Sequence, residues 1–272
     1  MPSDELQQYV DLWWRAVNDF TALLEEVPAD AWSAPTDLPG WDVHAVAAHI
    51  AHLEHLLAGG EHDASVEVGE AAHVRSPMGT FTEQGVLARR DHDPDDLINE
   101  IRESATRRRT TLLEQPPTEP DAPAPGPFGA LGWNQRTLLS NRPLDLWMHE
   151  QDVRRAVDLP GNLDGDTARH AARVLARSLA FVLAKRAGSP SGTAVRLEVE
   201  GLEPVVARVG EDGRGRTEQA VGDTDAAAVI RTDLESFLLL AGGRRTPAEG
   251  RVTIDGDQEL GRRVLEHLAV TP

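Results

Sequence analysis

The segment "LDLWMHEQDVRRAV", residues 144–157, carries Asp145, His149 and Asp152 at intervals of four and three. Successive residues turn by about 100° on a helix, so these three titratable side chains share one face. A carboxylate one turn before an imidazole is one way for a helix to present two ligands to a single metal ion. A solvated face looks the same, so the chemistry depends on a third ligand from another element. The segment "WDVHAVAAHIAHLEHLL" offers His44, His49, His52 and His55. His49 and His52 are one turn apart beside Ile50 and Leu53, from where either could look obliquely into a helical bundle. His44 lies close to the helix start and His55 nearer the polar side. Two histidines and one carboxylate, with the fourth position open, make the pattern of a catalytic rather than a structural zinc site. On the face of Asp145, Arg142 and Asp152 could orient the ligands or bind a substrate carboxylate, or form an ordinary surface ion pair. Trp147 reads as core rather than as a platform for substrate.

The elements that must position these residues are helical. Leu6, Tyr9, Val10, Trp13, Val17, Phe20, Leu23 and Leu24 recur at helical spacing between Ser3 and Glu26. "PADAWSAPTDLPGW" breaks that helix, and a second starts at Asp42 and runs to the glycines at 59 and 60. Residues 81–90 and 94–114 predict a short and a long helix, and "QPPTEPDAPAPGPFG" a loop or extended linker. The helix of Asp145 starts near Trp133, and a last long helix spans about 165–187. Beyond "GSPSG" the texture changes to short β-branched runs, "TAVRLEVEG", "EPVVARVGE", "RTEQAVG", "AAVIRTD" and "RVTIDGD", with helices "LESFLLLAGG" and "QELGRRVLEHLAV". The expected architecture is an all-helical bundle over residues 1–190 and a small α+β domain over 191–272.

Composition narrows the partners. A net charge of −18 opposes phosphate backbones and anionic headgroups, and the runs "RRR" at 107–109 and "GGRR" ending at Arg245 read as solvated surface. No window reaches the roughly 18 apolar residues of a membrane span, and the acidic start "MPSDELQQYV" is unlike a signal region, so a cytoplasmic protein is expected. There is no cysteine. A metal must therefore sit on His and carboxylate, and thiol chemistry must use a thiol brought from outside.

"LPGWDVHAVAAHIAHLEHL" resembles the P-G-W-x-V-x-x-x-x-A-H-L signature of the mycothiol-dependent maleylpyruvate isomerase family, relatives of the DinB-like four-helix bundles. "NRPLDLWMHEQDVRRAV" is similar to the family's later helix, where an acidic residue and a His four positions on complete a zinc site. The resemblance implies His49, Asp145 and His149 as metal ligands. Asp145 departs from the founding isomerase type, which uses Glu. "TEQGVLARR" resembles the helix that contributes an active-site arginine, here Arg89 or Arg90, and the C-terminal part resembles a sterol-carrier-like α+β domain. The implied function is zinc-dependent S-transfer or isomerisation of a small electrophile, with mycothiol as external thiol, in a monomer or homodimer. A metal hydrolase with Asp152 or Glu150 as base, or a metal- or ligand-binding module, are the alternatives.

Overall fold

The structure, a computed structural model, describes residues 4–219 and 225–270. The chain divides into two compact units, Met1–Gly161 and Asn162–Pro272.

The first unit is built on four long helices, α1 (Asp4–Glu26), α2 (Val43–Leu57), α4 (Pro94–Glu114) and α6 (Gln135–Ala156). Helix α1 packs on α4 and α6, and α2 on α4 and α6, which closes the bundle; α3 (Pro77–Ala88) leans on α2. The apolar stripe of α1 forms the interior, with Leu6, Trp13 and Phe20 fully buried against Val43, Ile50, Ile101 and Leu146. The caps follow from sequence: the side chains of Asp42, Ser76 and Asn134 accept from the backbone N–H groups of Ala45, Gly79 and Thr137. Within the proline-rich connection one short helix, α5 (Gly126–Ala130), interrupts the expected loop. Helix α6 continues through Pro143, which has no N–H to give the preceding turn. Asp145 and His149 thus lie mid-helix, where tertiary packing on both sides holds the backbone.

The α1–α2 connection matters for the site. Trp41 N–H donates to Leu38 O at 3.1 Å across Pro39 and Gly40, and Gly40 has φ +85°. Proline second and a positive-φ glycine third is the signature of a type II turn. A Cβ on Gly40 would also stand 2.4 Å from Nδ1 of His73, so the position is closed to side chains twice over.

The second unit holds a five-stranded sheet in the order β3 (Gly215–Gln219), β2 (Val205–Val209), β1 (Ala194–Val199), β4 (Ala228–Thr232), β5 (Val252–Gly256). β1 and β4 run parallel and the other neighbours antiparallel. All five strands fall on the β-branched runs; the last residues of "RTEQAVG" lie outside the described residues. Helix α10 (Gln258–Glu266) packs on β4 and β5, and α9 (Leu234–Ala241) meets α7 (Asp166–Ala176).

The division of the chain differs from the expected boundary near 190. The long helix expected over 165–187 is three pieces, α7, α8 (Leu179–Phe181) and a π-helical turn (Val182–Arg186). Their buried residues, among them Ala172, Leu175, Leu179, Val182 and Leu183, are covered by α9, β2 and β3. Helical periodicity shows that such a segment has a buried face but carries no information about which core covers it. Residues 1–161 alone should therefore unfold in one sharp urea transition and bind little hydrophobic dye. A fragment ending at residue 190 should bind much more, because α7 would be uncovered; equal dye binding by the two would return the boundary to 190.

Candidate metal centre

His49 on α2 faces Asp145 and His149 on α6, and one ligand atom from each lies within 4.8 Å of the others. Nε2 of His49 is 3.7 Å from Oδ2 of Asp145, and Nε2 of His149 is 3.6 Å from Oδ1. These spacings exceed a hydrogen bond, and they approach the separation of about 3.4 Å between ligand atoms held 2.0–2.2 Å from one tetrahedral ion. The donor set, two imidazoles and a carboxylate, suits zinc or a similar divalent ion.

The surroundings fix ligand orientation. Nδ1 of His149 lies 3.2 Å from Oδ2 of Asp152, a fully buried carboxylate whose Oδ1 accepts from Arg155 at 2.7 Å. A proton on Nδ1 leaves the Nε2 lone pair turned to the centre, as in carboxylate–histidine–zinc arrangements. Arg155 is itself anchored to Asp37 at 2.8 Å. His49 has no such orienter: its Nδ1 is buried without a hydrogen-bond partner among the described residues. Burial holds its pKa below the ordinary imidazole value despite the Asp145 carboxylate, which keeps the ring neutral as ligation requires. The indole of Trp41 closes the side of the centre, 5.0 Å from the His49 ring and 6.1 Å from the His149 ring.

Asp145 is held from beneath. Nη1 of Arg142 donates to its Oδ2 at 2.6 Å, leaving Oδ1 the freer atom. Burial alone would raise the carboxyl's pKa, but the Arg142 charge and the two imidazoles outweigh it and hold the group far below the usual carboxylate range. Arg142 is almost fully buried and donates its other arm to Oε1 of Glu54 at 2.7 Å. Glu54, inaccessible to solvent, also accepts from Nε1 of Trp13 at 3.0 Å and stands 3.6 Å from Nη1 of Arg108. Arg108 lies 4.5 Å over the Trp13 ring, and burial lowers its pKa to about 10.

Of the residues predicted from sequence, His49, Asp145 and His149 are brought together. Arg142 and Asp152 flank them as buried orienting partners, not as a surface ion pair. Arg89 and Arg90 are not gathered there. Arg89 is buried with its guanidinium given to Glu100 at 2.7 and 2.9 Å, Asp63 at 3.0 Å and Gly85 O at 3.1 Å. Arg90 is exposed beside Asp91. His52 turns the other way: its Nε2 meets Nδ1 of His62 at 3.1 Å, and His62 Nε2 meets Gln84 Oε1 at 3.0 Å. Gln84 gives its amide N–H groups to Ala64 O and Val66 O, so Oε1 accepts, His62 Nε2 donates, and His52 is the donor to His62. Burial and the Arg89 charge lower the His52 pKa to about 3, consistent with a neutral ring.

Sequence reasoning missed Glu54, Arg108 and Trp41. Glu54 had a signal: α2 contains no Lys or Arg, and Glu54 lies one turn from Ile50 and Leu57 on the apolar side. Arg108 likewise follows Leu97, Ile101 and Ala105 along the buried face of α4.

Residues 13–154 match the mycothiol maleylpyruvate isomerase N-terminal domain, and residues 169–263 match the MDMPI C-terminal domain. Two crystal structures of the mycothiol-dependent maleylpyruvate isomerase are similar in fold, one of them a histidine-to-alanine mutant. The mutant is 18% identical with a TM-score of 0.58, the other 19% identical with 0.57, and each comparison covers 92% of both chains. At these identities the likeness is one of fold. No curated protein matches the chain. No helix among the described residues is long and apolar enough to cross a membrane.

Glu54→Ala leaves two guanidinium groups buried without their shared carboxylate, and should cost about 3–5 kcal/mol in urea unfolding. Arg136→Ala, at the surface, should cost under about 1 kcal/mol. Comparable losses would deny the buried carboxylate its role. The depressed pKa of Asp145 stabilises the metal-free fold above the ordinary Asp value near pH 4 and is lost as pH falls through the lower folded value. Asp145→Asn should accordingly weaken the metal-free protein at pH 7 and make its stability less sensitive to acid below about pH 4.

Proposed function

Since the chain belongs to the mycothiol maleylpyruvate isomerase family, we propose that it is an enzyme setting an external thiol against a small electrophile at His49, Asp145 and His149. In this reading the ion is zinc, the thiol is mycothiol, and the reaction is S-transfer or isomerisation. The observation that carries it is the three-ligand centre on two packed helices of a chain with no cysteine. Three protein ligands leave room for one exogenous group.

A divalent ion bound there would hold an incoming thiol as its thiolate near neutral pH, because coordination lowers a thiol's pKa. The chain's own residues prepare that event. Asp152 keeps the His149 proton on Nδ1, so the Nε2 lone pair is available without a tautomer change. Arg142 keeps Asp145 ionised and in place. The Trp41 ring shields one side from water.

The hydrolase alternative needs a free general base, and both candidates are engaged. Asp152 is committed to His149 and Arg155, and Glu150 is buried and accepts from Arg154 at 2.7 Å. This favours a thiol over activated water. An arginine that stabilises developing charge was expected at 89 or 90. Arg89 could serve only by releasing Glu100 and Asp63, so we assign it to clamping α3, α4 and the 61–66 segment. Arg89→Ala should then lower stability and leave metal stoichiometry unchanged.

Turnover of the metal-loaded protein should require both ion and added mycothiol, and mycothiol binding should release about one proton per site near neutral pH. His49→Ala, Asp145→Ala and His149→Ala should each abolish stoichiometric metal binding, measured by elemental analysis after dialysis. Thiol-independent turnover of esters or amides would favour the hydrolase. A centre whose metal spectrum no thiol perturbs would favour a binding module.

A further inference from the structure

Helix α3 supplies no metal ligand, yet one of its carboxylates is bound into the wall of the centre. Oε2 of Glu83 accepts from Nε1 of Trp41 at 3.0 Å and lies 3.0 Å from Nε2 of His73. Glu83 is buried, at 8% exposure, so its charge is lost to water and held by these donors. The other ring nitrogen of His73 abuts Gly40, the glycine of the turn that delivers Trp41. Three segments therefore converge on one carboxylate: the 38–41 turn through Trp41, residue 73, and α3, which carries Glu83.

We infer that Glu83 is a positioning residue for the metal centre, acting through Trp41. Its carboxylate fixes the indole N–H, and the fixed ring sets the wall against which both ligand imidazoles rest. Simple satisfaction of a tryptophan N–H does not account for this arrangement. Trp41 is only half-buried, and water can serve the N–H of a half-exposed indole without burying a carboxylate. Trp13 shows the contrasting case, a fully buried indole whose acceptor belongs to the bundle network. His49 needs such a wall more than His149 does, because its Nδ1 has no orienting partner among the described residues. Packing against Trp41 is then what restrains its ring. Without the Glu83 acceptor the indole could turn about its side-chain bonds, and the His49 ring would gain freedom with it.

This inference rests on the metal-centre reading, and the test separates the two. Wild-type protein loaded with Co2+ gives visible bands that report ligand geometry, and a competition titration gives the Co2+ affinity. Glu83→Ala should shift the bands and weaken Co2+ binding about tenfold, the low end for groups that orient metal ligands. Glu83→Gln retains an acceptor for the indole and should stay within about twofold of wild type. Trp41→Phe should reproduce the Glu83→Ala change, and adding Glu83→Ala to Trp41→Phe should change nothing further, since the route runs through the indole. Bands and affinity unchanged in Glu83→Ala, or effects of the two substitutions that add, overturn the inference while leaving the metal centre intact. If Glu83→Ala does not fold, Trp41→Phe with unaltered bands overturns it equally. A wild-type protein that binds no Co2+ overturns the metal reading and this inference together.

Discussion

The buried carboxylate of Glu54 is the interaction on which the bundle and its centre both depend. Its partners are Trp13 on α1, Arg108 on α4 and Arg142 on α6, and Glu54 itself is on α2. One side chain thus meets a group from every long helix. A carboxylate without solvent must be compensated where it stands, so the four helices can dock only in a register that brings these groups together. Apolar stripes alone tolerate sliding and rotation; a charge network does not. Arg142 then carries that constraint directly to Asp145, which makes the position of this candidate ligand a by-product of helix docking.

Charge balance follows the same line. Glu54 and Asp145 oppose Arg108 and Arg142 in one connected group, while Asp152 is balanced by Arg155, which reaches Asp37. The dication that the donor set suits would therefore meet a ligand carboxylate whose own group is already compensated by Arg108 and Arg142, with one carboxylate in excess only at the Asp152–Arg155–Asp37 end. That is compatible with a centre whose ion stays electrophilic rather than one whose ion is neutralised by surplus carboxylates. The single carboxylate ligand, restrained at one oxygen by Arg142, points the same way.

Much of this was legible in the sequence, for reasons that differ by element. The spacing of Asp145 and His149 placed both on one face because helical geometry permits nothing else. The choice between His49 and His52 was not legible from periodicity, since both flank the same stripe. In the structure His52 is taken up by His62, in the connection before α3, and through it by Gln84 on α3, while His49 faces Asp145 and His149. Strands and caps in the second unit followed local chemistry closely, as with Asp233, whose side chain accepts from Ser236 N–H. The boundary did not, because an amphipathic helix declares that it has a buried face but not what buries it. Arg89, which meets Glu100 and Asp63, illustrates a further limit: a residue type suited to catalysis is equally suited to pairing with two carboxylates, and spacing in sequence carries no sign of them.

The residues that dock the helices and the residues that wall the centre come from different parts of the chain. Trp13, Glu54, Arg108 and Arg142 all lie within the four long helices, whereas Glu83 is on α3 and Trp41 and His73 belong to connecting segments. Segments of that kind tolerate insertion and exchange better than the elements they join. Replacing them would reshape what surrounds the candidate metal centre while leaving His49, Asp145, His149 and the docking network in place. Such a partition separates what shapes the surroundings of the three-residue cluster from what docks the helices, so that the first can vary at little cost to the second.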